Sequence, residues 1–293
     1  MIETAQSEVG MIARMLLKHP RAAFRDATAI ERQWRALNFT APPDLARAID
    51  EYDRFVALLN QDGVALEFLP ETETLSLDSI YVRDASVVCD RGAIVCRMGK
   101  PAREDEPAAQ EAVFRALGYP IVGRIEAPGR LEGGDVVWLD RRTIAVGRGY
   151  RTNDEGILQL GRLLDDAIDE LITVPLPHWR GPADVFHLMS IISPVDVDLA
   201  VVYSPLMPVA FRELLLGRGT TLVEVPDDEF DTMGANVLAV APRRCVMLSD
   251  NPITRERLER AGATVQSYEG IDISVKGGGG PTCLTRPLRR VVR

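Results

Sequence analysis

Cysteine, histidine and clustered positive charge are all scarce in this sequence. It has four cysteines and three histidines among 293 residues, and its net charge is −9. The cysteines, at positions 89, 96, 245 and 283, lack the spacing of a metal site, so we expect a reduced, cytoplasmic protein without disulfides, metal or cofactor. Because no segment is strongly basic, neither nucleic acid nor an anionic membrane is expected as a partner.

Long hydrophobic runs are also missing. The most apolar stretch, DLAVVYSPLMPVAF, is interrupted by Pro205 and Pro208 and is too short to span a bilayer. The first residues, MIETAQSEVG, are acidic where a secretory signal would be basic, so no signal peptide is predicted. The length allows one large domain or two small ones, and we predict a single catalytic domain over residues 1–293.

A repeated pattern runs through the chain instead. Paired apolar segments joined by short polar turns alternate with helical segments, as in DASVVCDRGAIVCR and GANVLAVAPRRCVMLSD. A polar or reactive residue precedes each pair at intervals of 51, 52, 49 and 47 residues: Asp84, Asp135, His187, Asn236 and Cys283. Radially arranged modules would bring these positions together at a common axis, whereas the alternative is chance spacing of ordinary strand–helix segments.

The chemistry of these positions is specific. Cys283 follows four glycines in KGGGGPTCLTRPL, whereas the other three cysteines lie in apolar strands and are expected to be buried fillers. A reactive thiol needs a partner that takes its proton, and His187 has the matching position in the repeat. The nearby carboxylates would disfavour an oxyanion but would suit a cationic guanidinium, which donates paired hydrogen bonds. These residues indicate a cysteine hydrolase or transferase that acts on a small guanidino compound.

The acidic residues come from two segments. In DSIYVRD, Asp78 and Asp84 bracket a predicted strand, and their even spacing is expected to place both on one face. In EGGDV, Glu132 and Asp135 flank two glycines that would allow close approach of a ligand, although an ordinary surface turn has the same composition.

Several segments, in this order, resemble the guanidine-modifying enzymes of the pentein fold: DSIYVRDASVV, GKPARE, LEGGDVVWL, GRGYRTN, VFHLMSI and GGGGPTC with LTRPL. The chain is most similar to the dimethylarginine dimethylaminohydrolase branch, beside the arginine deiminases. The resemblance covers about residues 75 to 293 and implies an α+β propeller of five pseudo-symmetric strand–strand–helix–strand modules around a central channel. The first 70 residues match only loosely and are expected to carry part of a substrate lid.

The resemblance also implies roles for individual residues. Cys283 would be the nucleophile that forms a thiouronium-like intermediate, and His187 would be the acid and base, with Glu132 completing the triad. Asp84 would bind the guanidinium, and Asp78 would lie near the other end of the substrate. The remaining two predicted residues, both expected to bind the α-carboxylate of the substrate, are Arg103 and Arg151.

The substrate is left open by two departures from the family patterns. Arg83 beside Asp84 is a trait of arginine deiminases, but Met189 replaces their second guanidinium-binding aspartate. Because a single aspartate leaves room for N-methyl groups, a methylated arginine is favoured, to be converted to citrulline and methylamine. The alternatives are arginine deiminase or dihydrolase activity, an amidinotransferase and a non-catalytic binding protein, and a homodimer is neither indicated nor excluded.

Overall fold

The computed structural model describes residues 1–61, 63–184 and 186–292. Its helices are α1 (Pro20–Ala23), α2 (Ala27–Gln33), α3 (Leu45–Asn60), α4 (Glu106–Ala116), α5 (Asp154–Leu164), α6 (Val209–Gly217), α7 (Asp227–Phe230) and α8 (Pro252–Arg260). Side chains cap two of the longer ones as helix-capping rules predict: Asp44 accepts a hydrogen bond from the Arg47 N–H before α3, and Asn153 accepts one from the Gly156 N–H before α5. No helix in these ranges is long and apolar enough to cross a membrane.

The strands of the described chain form five sheets. The first eight strands are β1 (Ile2–Thr4), β2 (Met11–Leu17), β3 (Ala65–Phe68), β4 (Ser86–Cys89), β5 (Gly92–Val95), β6 (Ile121–Arg124), β7 (Val136–Trp138) and β8 (Thr143–Arg148). The others are β9 (Glu170–Pro175), β10 (Ile192–Asp196), β11 (Leu199–Val202), β12 (Thr221–Glu224), β13 (Leu238–Ala241), β14 (Arg244–Leu248), β15 (Thr264–Tyr268) and β16 (Arg286–Val292).

Four of these sheets repeat one module. Strands β4–β5–β6, β7–β8–β9, β10–β11–β12 and β13–β14–β15 each pair as an antiparallel hairpin followed by a third strand parallel to the second. A parallel pair needs a crossover, and α4, α5, α6 and α8 supply it. The predicted α+β fold with strand–strand–helix–strand modules is therefore confirmed.

The two ends of the chain build the fifth sheet together. Strand β16 pairs antiparallel with β2, β2 pairs parallel with β3 after the crossover through α3, and β1 adds to the outer edge of β16. The N-terminal region, which was expected to carry part of a substrate lid, thus supplies β1, β2 and β3 of this sheet. It also reaches the cavity described below through residues 38 and 40.

The first strand of a module is more deeply buried than the third. Every residue of β4, β7 and β13 is buried, whereas the third strands β6, β9 and β12 are mostly half-buried or exposed. The first strands therefore lie in the interior of the molecule, as the fully buried second strands β5 and β11 also do, and the third strands lie nearer its surface. The five residues that were predicted to precede the hairpins lie one to five positions before the first residues of β4, β7, β10, β13 and β16.

One local prediction was wrong. The segment between Asp78 and Asp84 is not a strand: residues 77–80 form a single 3₁₀ turn, and the chain then continues through tight turns into β4. All residues from 77 to 89 are buried, so the alternation of inner and outer faces on which the prediction rested does not exist. The two carboxylates reach different cationic partners as a result.

Candidate active site

Cys283 lies at the end of the glycine-rich loop and is half-buried. The Asn236 side-chain amide donates a hydrogen bond to its Sγ at 3.4 Å, and the Asn236 carbonyl oxygen accepts from the N–H and the hydroxyl of Thr282. A Cβ on Gly280 would lie 2.5 Å from Cγ of Asn236, so this close packing requires glycine. The loop therefore fixes the position of the thiol through Asn236.

His187 lies on the same cavity as Cys283 and is held by carboxylates from two other modules. Its Nε2 lies 2.7 Å from Oε2 of Glu132, and its Nδ1 lies 3.9 Å from Oδ1 of Asp84. A Cβ on Gly134 would lie 2.6 Å from Nδ1 of His187 and 2.7 Å from Oδ1 of Asp84, so only glycine allows this arrangement. The EGGDV segment is thus a close-packed part of the site and not a surface turn.

Glu132 is fully buried and accepts several hydrogen bonds besides the one from His187. The backbone N–H groups of Gly99 and Lys100 donate to Oε1 at 2.8 and 3.1 Å, and Arg151 Nη1 donates to Oε2 at 3.2 Å. A buried carboxylate with this many donors is stabilised in its charged form. Glu132 can therefore hold a positively charged His187 in a fixed orientation.

Asp84 has an equally well-defined environment. Its Oδ1 accepts from the Gly134 N–H at 3.0 Å, and its Oδ2 accepts from Arg103 Nη1 at 2.5 Å. Arg103 also donates to Glu106 at 2.9 and 2.8 Å and to the Tyr81 carbonyl oxygen at 2.9 Å. Arg103 is 4% exposed, so it forms part of a buried ion-pair network.

Asp78 lies further along the same network. Its Oδ2 accepts from Lys100 Nζ at 2.5 Å, and Lys100 also donates to the Leu37 carbonyl oxygen at 2.9 Å. The Asp78 side chain is thereby connected to the N-terminal region.

The cavity in front of Cys283 and His187 has a volume of about 250 Å³. Of the seven predicted site residues, only these two line it; the other five lie behind them in the buried network. Sequence reasoning missed most of the outer wall, which comes from loops without a recognisable pattern and from the end of the short helix α7: Asn38, Thr40, Trp179, Arg180, Asp184, Phe186, Phe230, Asp231, Met233 and Lys276. Asn236 could be found from its place in the repeat, because it precedes the fourth hairpin.

The charges of this network determine the protonation of the two central groups. Burial, reinforced by the negative charge of Asp84, raises the pKa of the Cys283 thiol, so the resting thiol is neutral. Burial alone would lower the pKa of His187, but Asp84, Asp135 and Glu132 together raise it to about 9. The site thus combines a neutral thiol with an imidazolium at neutral pH.

The raised pKa of His187 predicts a pH-dependent stability. Because the folded state binds the proton more tightly than the unfolded state, the stabilisation is complete below pH 6.5 and is lost as the pH rises to about 9. We expect the free energy of unfolding of the wild type to fall by up to about 3 kcal/mol relative to His187→Gln over this range. Urea denaturation of both proteins between pH 6.5 and 9.5 measures it, and a constant difference between the two would contradict the assignment.

A metal ion is a further possibility for this donor set. Among the residues that the structure describes, Asp84, Glu132 and His187 bring their oxygen and nitrogen atoms within 4.8 Å of one another. However, Arg103 binds Asp84 and Arg151 binds Glu132, so guanidinium groups already neutralise both carboxylates. The set fits an ion-paired hydrogen-bond network better than a metal centre.

Curated proteins are similar in sequence to this chain over most of its length. An N(G),N(G)-dimethylarginine dimethylaminohydrolase of Streptomyces coelicolor is 29% identical over 279 residues, which cover 93% of this chain and 95% of that protein. An arginine deiminase of Mycobacterium marinum is 31% identical over 249 residues, which cover 72% of this chain and 60% of that protein.

Solved structures show the same fold at lower identity. A dimethylarginine dimethylaminohydrolase from Pseudomonas aeruginosa, a cysteine-to-serine mutant complexed with citrulline, has a TM-score of 0.76 at 24% identity and covers 94% of this chain and 98% of its own. The amidinotransferase SxtG from Microseira wollei has a TM-score of 0.80 at 16% identity and covers 98% of this chain and 97% of its own.

A family model described as "N,N dimethylarginine dimethylhydrolase, eukaryotic" matches residues 23–290, almost the whole chain. The chain therefore belongs to the N,N-dimethylarginine dimethylhydrolase family, and it is a hydrolase that acts on the guanidino group of an arginine derivative.

Proposed function

We propose that this protein hydrolyses an Nω-methylated arginine to citrulline and a methylamine, with Cys283 as the nucleophile. The observation that carries the proposal is the cavity wall on which Cys283 and His187 lie together, backed by Glu132 and Asp84. A thiol, an imidazolium and buried carboxylates around one cavity are suited to attack on a cationic carbon centre.

Substrate binding follows from the charges of the site. Asp84 is the carboxylate next to His187, so it is the natural partner for the guanidinium of the substrate. Arg103 now binds Asp84 and Arg151 binds Glu132, and neither arginine lines the cavity. For either one to bind the α-carboxylate of the substrate, as predicted, it must exchange part of these contacts when the substrate enters.

The arriving substrate would also activate the nucleophile. Asp84 contributes to the raised pKa of the thiol, and a guanidinium beside Asp84 offsets that negative charge. The thiol then loses its proton to solvent, and Sγ of Cys283 forms a bond to the guanidino carbon. The carboxylates that would disfavour an oxyanion therefore suit a substrate that carries the positive charge itself.

His187 would complete both halves of the reaction. As an imidazolium it donates a proton to the methylamine nitrogen, the carbon–nitrogen bond breaks, and a thiouronium on Cys283 remains. The neutral imidazole then takes a proton from water, whose oxygen bonds to the same carbon. Cleavage of the carbon–sulfur bond releases citrulline, and the proton of the new hydroxyl passes to the thiolate. The neutral thiol and the imidazolium of the resting enzyme are thereby restored, with Glu132 holding the ring throughout.

The choice of a methylated substrate rests on Met189. This side chain lines the cavity two residues after His187 and is only 4% exposed, so it gives the guanidino region an apolar wall. Arg83, the trait shared with arginine deiminases, is directed away from the cavity and binds Glu8 at 2.8 Å. Arg83, although shared with arginine deiminases, therefore does not line the substrate cavity.

We expect Met189→Asp to change the ratio of kcat/KM for arginine to that for dimethylarginine by at least about tenfold in favour of arginine. A second carboxylate would pair with the N–H groups that methylation removes, and one charge-assisted hydrogen bond exceeds this amount. Met189→Leu keeps the apolar wall and should leave the ratio unchanged. A shift of equal size in both variants would mean that packing, not charge, selects the substrate.

The proposal is tested by citrulline release from dimethylarginine, monomethylarginine and arginine, side by side. Fastest turnover of a methylated substrate supports it. Fastest turnover of arginine would place the protein with the deiminases or dihydrolases, and transfer to an added amine would make it an amidinotransferase. Absence of turnover with any guanidine would favour a non-catalytic binding role.

A further inference from the structure

A second, much smaller cavity lies behind the catalytic loop. Its volume is about 10 Å³, room for a single water-sized group. It shares Thr282 and Met189 with the loop and wall of the active site, and its charged lining residues are Glu8, Arg83 and Arg290. It therefore adjoins the active site through Met189 and Thr282.

Positive charge is in excess around this cavity. Arg83, Arg290 and the adjacent Arg286 are 3%, 1% and 5% exposed, and the carboxylate that lines the cavity with them is that of Glu8, 7% exposed. Glu8 accepts one hydrogen bond, from Arg83 Nη2 at 2.8 Å. Asp84, the next carboxylate near Arg286, is already bound by Arg103. Three buried guanidinium groups thus lie near one carboxylate, that of Glu8, which is already paired with Arg83.

Several N–H groups of these arginines are also unsatisfied. Arg290 donates through Nη1 to the carbonyl oxygens of Gly10 and Ala239, and Arg286 donates through Nη2 to that of Arg83. Within residues 1–61, 63–184 and 186–292, the Nε–H groups of all three arginines lack a hydrogen-bond acceptor, and so does Nη2 of Arg290. Buried donors without acceptors are costly, and guanidinium groups do not lose their charge to relieve that cost.

The pKa values of two of these arginines are lowered. Burial, reinforced by the positive charge of Arg83, lowers the pKa of Arg286 to about 9 and that of Arg290 to about 10. The attraction of Glu8 is weaker than the repulsion from Arg83 at Arg286 and stronger than it at Arg290, and burial is the main cause of both lowered pKa values.

We propose that this cavity is a binding site for a small monovalent anion of about the size of chloride, held by Arg83 and Arg290. An anion there would accept the free N–H groups and would neutralise part of the excess charge. The small volume excludes phosphate, sulfate and organic carboxylates. Because Glu8 also lines the cavity, it competes with the anion for Arg83 and limits the affinity.

Bromide gives a direct test, because it replaces chloride and can be located by anomalous scattering. Crystals of the full chain grown in sodium bromide should show an anomalous peak within hydrogen-bonding distance of Arg290 and Arg83. Bromide peaks elsewhere on the molecule, with only a water at this cavity, would overturn the proposal.

Thermal denaturation tests the same site in solution. At constant ionic strength, replacing gluconate, which is too large to enter, by chloride should raise the Tm saturably, because a ligand bound only by the folded state stabilises it. Glu8→Gln removes the competing charge and should lower the half-saturating chloride concentration at least about tenfold, since juxtaposed like charges weaken binding strongly. Arg290→Met should abolish the chloride dependence.

These two variants change the anion response in opposite directions, so a general loss of stability cannot account for both. Arg289→Met is the matched control, because Arg289 is an exposed neighbour on β16 that pairs with Glu3. It should respond to chloride as the wild type does. An identical chloride dependence in all four proteins would overturn the proposal even if Arg290→Met folds poorly.

Discussion

Replacement of Cys283 by serine is expected to lower citrulline formation by about 10⁴-fold or more, because a serine hydroxyl is far less acidic and less nucleophilic than a thiol. The substitution replaces the sulfur atom by oxygen and leaves the hydrogen bonds between Thr282 and Asn236 that hold the loop in place. Citrulline binding, measured by calorimetry, should therefore persist. Citrulline formation is measured over long incubations to detect the residual rate.

Cys89→Ala provides the matched control for this prediction. Cys89 is a buried cysteine of β4 that packs in the core, and its replacement should leave most of the activity. If the serine variant instead turned over substrate at close to the wild-type rate, the nucleophile would have to be another group. If it lost citrulline binding as well, the loss of activity would report on the loop and not on the chemistry.

The second large effect concerns His187. We expect His187→Ala to lower turnover of dimethylarginine by about 10²–10⁴-fold, because the amine leaving group would no longer receive a proton. With S-methyl-L-thiocitrulline the leaving group is a thiol, which departs without that help. The variant should still form the covalent thiouronium on Cys283 but hydrolyse it slowly, so that the adduct accumulates.

Intact-mass spectrometry detects this adduct, and its absence in the double variant that also carries Cys283→Ser assigns it to the cysteine. His19→Ala is the control, because His19 caps α1 and pairs with the exposed Asp53 at the surface. It should match the wild type on both substrates. Equal losses on both substrates without adduct would assign His187 a structural role.

The order of hairpins and helices was predictable because each of these elements is encoded in its own short segment of sequence. Each hairpin has its own apolar pattern, and each helix has its own caps and breakers, so their order gives the modules before any long-range contact is known. The spacing of Asp84, Asp135 and His187 also indicated a common centre, and the structure places them around Gly134.

The ion pairs could not be predicted in the same way. Whether Asp84 is bound by Arg103 or free for substrate depends on distances of a few tenths of an ångström between different modules, which no spacing in the sequence encodes. The outer wall of the cavity was missed for a related reason: Trp179 and Lys276 belong to loops, where neither helical nor strand periodicity applies. The strand predicted between Asp78 and Asp84 failed because periodicity is informative only where one face is exposed.

The fifth sheet has a consequence for how the protein is made. Strand β2 and its partner β16 are separated in the sequence by the four other modules, so those modules can fold as units before the fifth sheet is closed. Until then β2 remains an unpaired edge, and the loop of Cys283 lacks the strand that follows it. Before β16 docks, the free edge of β2 can pair with another chain, and the site that contains Cys283 is incomplete.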